Sequence, residues 1–314
     1  MINKTKKITP KLFFKTLSTK PNVFLEKRIE AANLEYSEID NKERDYWIRK
    51  MVSVLIDDYV VYSGEHRHEQ WEKGWEENLI ELLQQNNNKD FFKAILPKYF
   101  NKYPIVRFNH KLVKSESDDF EFKILGLVLD WLFDQYVRNV DAIYEFGCGT
   151  GYNLFRVREF NSTAELWGLD WASSSQKIIE RIRLGGIDKN MFGHKFDYFN
   201  PDNSFKLINN SVVFTVASLE QIGDKYTAFV DYLLKNKPKL CIHVEPIAEL
   251  LNHDDLLDFL SIEYFKKRKY LSGFLTYLKK LEQLKKIEIL RAQRSYTGSL
   301  FIEGHSVIVW APKY

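Results

Sequence analysis

The chain has 314 residues, 45% of them hydrophobic and 28% charged, and 46 Lys and Arg against 43 Asp and Glu leave a formal net charge of +3. This composition excludes a disordered chain, and so even a charge balance makes nucleic acid an unexpected partner. The two cysteines, Cys148 and Cys241, lie far apart, which excludes a disulfide framework and a cysteine-based zinc site.

The length suggests one catalytic-sized unit with one accessory unit. No apolar run reaches the length of a transmembrane helix, and nothing reads as a secretory signal. A cytoplasmic location is the expectation. The first residues are basic, with Lys4, Lys6, Lys7, Lys11, Lys15 and Lys20 preceding the first acid, Glu26. Leu12, Phe13, Phe14 and Leu17 interleave with them. The segment therefore reads either as a basic tail or as a weak peripheral contact with anionic lipid.

Residues 1–138 read as a helical accessory or cap region. Arg44–Tyr62 and Trp71–Gln85 carry apolar residues at the spacing of amphipathic helices. Asn86, Asn87 and Asn88 mark a break, Phe91–Tyr99 follows, and Phe120–Val137 is a further helix. No clean strand alternation occurs in this half.

Residues 139–314 change character. Short apolar runs at Ala142–Phe146, Glu165–Leu169, Ser211–Ala217 and Leu240–Val244 alternate with helical stretches. Such a pattern predicts a parallel sheet covered on both faces. After a long helical segment from Asp254 to Lys286, the runs Ile287–Leu290 and Ser306–Trp310 have no room for a helix between them and should pair antiparallel. With the short run His194-Lys195-Phe196 counted as the third of five parallel strands, the expected fold is α/β: a seven-stranded, mostly parallel, Rossmann-like sheet closed by an antiparallel hairpin.

Between the first run and its helix stands Glu145-Phe146-Gly147-Cys148-Gly149-Thr150-Gly151. Glycines at alternate positions let a backbone turn sharply against a ligand. The spacing is neither the dinucleotide fingerprint nor a P-loop. Glu145 would repel a pyrophosphate but would suit a ligand bearing an ammonium and a sulfonium. Asp170, nineteen residues after Gly151, ends the second run, where an acid bonds a ribose. Trp171 beside it suits an adenine face.

On these residues the stretch from Ile143 to about Pro246, extended by the terminal hairpin to roughly 140–314, resembles the class I S-adenosylmethionine (SAM)-dependent methyltransferases. The resemblance implies SAM as cofactor, held by Glu145, Gly147, Cys148, Gly149, Gly151, Asn153, Asp170 and Trp171. It also places an acid at Asp197 near the adenine, and Ser218 and Leu219 along the cofactor.

Acceptor chemistry belongs at the ends of the fourth and fifth strands, at Ser218-Leu219-Glu220-Gln221 and His243-Val244-Glu245-Pro246. His243 and Glu245, two apart on a strand, share a face. With Glu220 they are the candidate acid–base groups. The other reading is a buried His bonded to the sheet and a Glu capping the next segment. Gln221, Arg268, Arg294, Tyr296, Arg107 and His110 are the candidate acceptor-binding residues, the arginines suiting an acid.

The absence of Asn/Asp-Pro-Pro-Tyr makes a nucleobase amine a poor acceptor, and the acids of the magnesium-dependent catechol type are missing. Glu65-His66-Arg67-His68-Glu69 lacks the second cluster a metal would need, so no metal is expected. Ser218–Gln221 and Glu245-Pro246 loosely resemble methyltransferases of bacterial surface polysaccharides, which implies O-methylation of a sugar, sugar acid or other polar small molecule. The rival readings are a protein or RNA methyltransferase and a non-catalytic protein that binds SAM or a partner.

Overall fold

The computed structural model describes residues 5–57, 59–84, 91–100 and 102–313. The expected break at Asn86–Asn88 lies outside them. In chain order the strands are β1 (Thr5–Lys7), β2 (Glu35–Glu38), β3 (Ile105–Phe108), β4 (Lys111–Ser115), β5 (Ala142–Phe146) and β6 (Glu165–Asp170). They continue with β7 (Met191–Lys195), β8 (Ser211–Val216), β9 (Leu240–Glu245), β10 (Ile287–Gln293), β11 (Thr297–Gly298) and β12 (Ser306–Pro312).

The large sheet has the order β10-β12-β9-β8-β5-β6-β7. β5 through β9 are parallel, while β12 runs antiparallel to both β9 and β10. This is the seven-stranded sheet with a closing hairpin that the sequence predicts. Successive residues feed opposite faces, as the two-residue period of a strand requires. Val212 and Val307 enter the core beneath the helix Phe120–Tyr136, whereas Val213 and Ile308 enter the core on the other face, with helices Thr227–Asn236 and Phe274–Gln283. Phe133 of the first helix meets Phe214 of β8 edge to face at 5.2 Å between centroids.

The N-terminal half departs from the all-helical expectation. β1, β2, β4, β3 and β11 form a second, antiparallel sheet in that order. Its strands are two to five residues long, and all four residues of β3 are buried. A strand buried on both faces shows no alternation, so its pattern is silent. β11 comes from the C-terminal half, pairing Thr297 with Phe108 and Gly298 with Arg107.

Two further differences have local causes. The long helical segment after β9 is two helices, Leu256–Arg268 and Phe274–Gln283, because Lys269 (φ 52°) ends the first and Gly273 (φ 73°) opens the second in left-handed conformations. Ile8, Phe13, Phe14 and Leu17 point into the core, so the apolar side chains proposed for lipid contact are already used in packing. Among the described residues no helix is long and apolar enough to cross a membrane.

Candidate active site

The chain order of the sheet reverses at β5, which has β6 on one side and β8 on the other. In open α/β sheets this switch point, at the carboxyl ends of the strands, is where ligands bind. A cavity of about 410 Å³ lies there. Its floor is made by the residues that follow β5, β6, β7 and β8, including Gly147, Gly149, Asp170, Tyr198 and Ser218.

The glycine loop is shaped by close approach. Gly147 and Gly149 both have positive φ (70° and 54°). A Cβ on Gly147 would stand 2.4 Å from the Ser218 Cβ, and one on Gly149 would stand 2.7 Å from the Trp75 ring. Asp170 fastens this loop to β6: its Oδ2 accepts from the Gly149 N–H at 2.8 Å and its Oδ1 from the Ala172 N–H at 2.9 Å. The Trp171 N–H is a third backbone donor to this carboxylate, whose roughly four acceptor sites are therefore not all used. Burial pushes the Asp170 carboxyl up to about 6.

Glu145 is buried at the end of β5, where Oε1 accepts from the Asn153 side-chain amide at 2.7 Å. Its Oε2 is buried with no partner. Burial pushes this carboxyl up to about 8. A carboxyl in that state invites a cation or a strong donor to its free oxygen.

Of the other residues assigned to the cofactor, Cys148, Asn153, Trp171 and Ser218 line the cavity. Ser218 Oγ donates to the Phe146 carbonyl at 3.1 Å and lies 3.0 Å from the Tyr198 hydroxyl. Three assigned residues are elsewhere. Leu219 is fully buried in the core beneath the sheet. Gly151 makes room for Ile179, whose Cδ1 would stand 2.4 Å from a Cβ there. Asp197 does not line the cavity; its Oδ1 accepts from the Phe199 N–H at 2.8 Å within a turn, while its neighbours Phe196 and Tyr198 face inward.

The proposed pair His243 and Glu245 does share a face of β9, but that face is packed against Thr215, Phe274 and the loop after β8. His243 is fully buried, its Nδ1 3.0 Å from Thr215 Oγ1, and its Nε2 accepts from the Trp310 indole at 3.0 Å. Its ring abuts Phe274 on the flank of the sheet. Burial pushes the imidazole down to about 3, so it is neutral. Glu245 accepts from the N–H groups of Ser218 and Leu219, both at 3.1 Å, and of Glu220 at 3.3 Å. It shapes the loop after β8. Neither residue lines the cavity, and the acid–base assignment of this pair is corrected accordingly.

Glu220 and Gln221 do line the cavity, joined by a 2.8 Å bond from the Gln221 amide to Glu220 Oε1. Burial, and then the neighbouring charge of Glu245, push the Glu220 carboxyl up to about 8.

The acceptor-binding candidates divide. Arg268 lines the cavity. Arg107 is buried, bonded to the carbonyls of Leu257, Leu300 and Phe301. Arg294 is taken up by ion pairs with Asp258 and Glu303. His110, in the β3–β4 turn, and Tyr296 pack against each other with their rings tilted by 37° at 3.9 Å between centroids. These four build the small sheet and its junction, and they are corrected as acceptor contacts.

Two groups of lining residues are not among the sequence candidates. One comes from the N-terminal half. The helix His68–Gln84 lays Trp71 and Trp75 over the glycine loop, and the turn Glu65–Arg67 brings Arg67 to the wall. Thr150 of the loop donates to the Ile95 carbonyl at 2.6 Å, tying the two halves together. The other comes from the segment between β11 and β12. His305 lines the cavity at the carboxyl end of β9, as the register of Ser306 with Glu245 requires. Its Nδ1 lies 3.2 Å from Thr297 Oγ1, which in turn lies 2.9 Å from Ser295 Oγ. Burial pushes the ring down to about 4, leaving it neutral near pH 7. Strand spacing places His305 beside no other candidate, so only its closeness to the last strand signalled it.

No family model and no curated protein matches the chain. Several solved structures resemble it. An O-methyltransferase from neocarzinostatin biosynthesis (NcsB1), in complex with SAM and a naphthoic acid, superposes with a TM-score of 0.41 at 12% identity over 62% of this chain. The chain spans 58% of that protein's length. The magnesium protoporphyrin IX methyltransferase of Synechocystis PCC 6803, solved with S-adenosylhomocysteine (SAH), gives 0.45 at 12% identity over 62% of this chain and 86% of its own. The small RNA methyltransferase HEN1 gives 0.46 at 13% identity over 60% of this chain and 25% of its own. The likeness is one of fold.

Proposed function

We propose that this chain is a SAM-dependent methyltransferase that methylates a hydroxyl oxygen of a small polar acceptor, the class expected from the sequence being sugars and sugar acids. The observation that carries the reading is the orphaned buried Oε2 of Glu145 in a cavity whose loop is fastened by Asp170. Glu145 would take the ammonium of the cofactor, the free lone pairs of Asp170 its ribose hydroxyls, and Trp171 its adenine. When bound, SAM supplies an electrophilic methyl group on a cationic sulfur.

The protein's task in such a transfer is to align the acceptor and to receive its proton. His305 is neutral, and with Nδ1–H donating to Thr297 Oγ1 its Nε2 lone pair is free for the acceptor proton. Glu220, with a carboxyl pushed up to about 8, is protonated near neutrality and offers an O–H to orient an acceptor oxygen. Trp71 and Trp75 keep water from the loop.

Calorimetry with SAH tests the reading: one site per chain is expected, abolished in Gly149→Arg. Methyl transfer to sugar acids from labelled SAM should fall by roughly 10²- to 10⁴-fold in His305→Gln, with SAH affinity within a few-fold of the parent. A chain that ignores SAH refutes the reading.

A further inference from the structure

The cavity is acidic at the cofactor end and basic at the other. Arg67 and Arg268 both line it, although 201 positions separate them in sequence. Ser63 holds them together: its N–H donates to the Arg268 carbonyl at 2.7 Å, and its Oγ to the Lys269 carbonyl at 2.5 Å. The turn carrying Arg67 is thereby fixed to the end of the helix carrying Arg268.

Neither guanidinium has an ionic partner among the described residues. Arg67 is 7% exposed and donates only to neutral amides, from Nη1 to Gln221 Oε1 at 2.8 Å and from Nε and Nη2 to Gln70 Oε1. Arg268 lies over the ring of Tyr270 at 5.1 Å, and its Nε is buried with no partner. Burial, and then repulsion from the neighbouring Arg268 charge, lowers the Arg67 pKa. The carboxyl that faces both is Glu220, already bonded to Gln221. Arg67 is buried and Arg268 half-buried with its Nε enclosed, and guanidinium held out of water without a counter-charge is costly, a cost that an anion between the two forks would offset.

We propose that Arg67 and Arg268 form the subsite for an anionic headgroup, a carboxylate or a phosphoryl group, on the molecule that enters this cavity. Planar guanidinium matches both anions bidentately. The body of the ligand would lie against Tyr103, Tyr264 and Phe301, which line the adjoining wall. That this ligand is the methyl acceptor rests on the function proposed above; the anion subsite does not.

Benzoate, phenyl phosphate and the neutral isostere benzamide, titrated into the full chain by ligand-observed NMR with and without SAH, test the subsite. Benzoate or phenyl phosphate should bind at least 10-fold more tightly than benzamide, and which of the two binds distinguishes a carboxylate from a phosphoryl ligand. Arg268→Gln should weaken the anion by about 10- to 100-fold, and Arg268→Lys, which keeps the charge and loses the fork, by less. Equal binding of benzamide and benzoate, no binding of either anion, or unchanged anion affinity in Arg268→Gln would overturn the proposal. SAH affinity, read in the same samples, reports separately on the cofactor site: anion binding without SAH binding sinks the methyltransferase reading alone, and SAH binding without anion binding sinks the subsite alone.

Discussion

Glu72 caps a helix that begins at Ser173, about a hundred residues later in the chain. Its two carboxylate oxygens accept from the Ser173 and Ser174 N–H groups at 2.6 and 2.7 Å. The helix Ser173–Leu184 has Ala172 at its N-cap and therefore no cap of its own. A carboxylate from the cap region supplies what the local sequence omits. Burial works against this charge, yet the two N–H groups hold its pKa below the ordinary 4.5.

Glu72→Ala should therefore cost about 0.5–2 kcal/mol of stability, the worth of an N-cap, and should loosen the helix that carries Trp71 and Trp75. Urea unfolding at neutral pH checks the first effect. A weaker SAH complex checks the second, and an unchanged one would separate the cap from the cofactor site.

Asp170 fastens the glycine loop and, in the function proposed above, also meets the ribose. Asp170→Ala removes acceptors for the Gly149 and Ala172 N–H groups, and with a charge-assisted bond worth roughly 1.5–3 kcal/mol SAH affinity should fall about 10- to 100-fold. Thermal unfolding should shift downward too. Intact affinity in a folded variant would place the ribose elsewhere.

His243 should matter to folding and not to turnover. His243→Leu leaves the buried Trp310 indole N–H without its acceptor, a loss of about 1–3 kcal/mol. SAH affinity should stay within a few-fold of the parent. A folded variant that binds SAH normally yet has lost activity by more than 10²-fold would restore the residue to the active site.

Glu220 gives stability a pH dependence of definite sign. Its folded pKa of about 8 lies above the ordinary 4.5, so the folded state holds the proton more tightly than the unfolded chain. That contribution is full below pH 4.5 and is lost as the pH rises towards 8. Without ligand, the parent should lose more stability than Glu220→Gln over this window, read by urea midpoints at several pH values. Parallel profiles would mean that Glu220 is solvated and ionised.

The large sheet was legible in the sequence because β5, β6, β8 and β9 are short apolar runs, all but β8 closed by glycine or acid, and the hairpin because no helix fits between β10 and β12. The glycine loop and Asp170 were legible for the same local reason. His243 and Glu245 were legible only in part. A two-residue spacing fixes a shared face of β9 but not whether that face looks into the cleft or towards Phe274. Arg67, Trp71 and Trp75 were invisible as site residues because tertiary packing alone carries their helix over the loop. The segment Glu65–Glu69 drew notice for its histidines, and its arginine is what reaches the cavity wall.

The pairing of β11 with β3 bears on how the chain is made. β3 is complete by residue 108, but the strand that covers its outer edge does not emerge until residue 298. During synthesis the small sheet waits with an open row of backbone donors and acceptors for almost two hundred residues, the condition under which strands recruit neighbours. A nascent chain stalled before residue 297 should therefore be sticky, and emergence of Thr297 and Gly298 should act as the step that seals it.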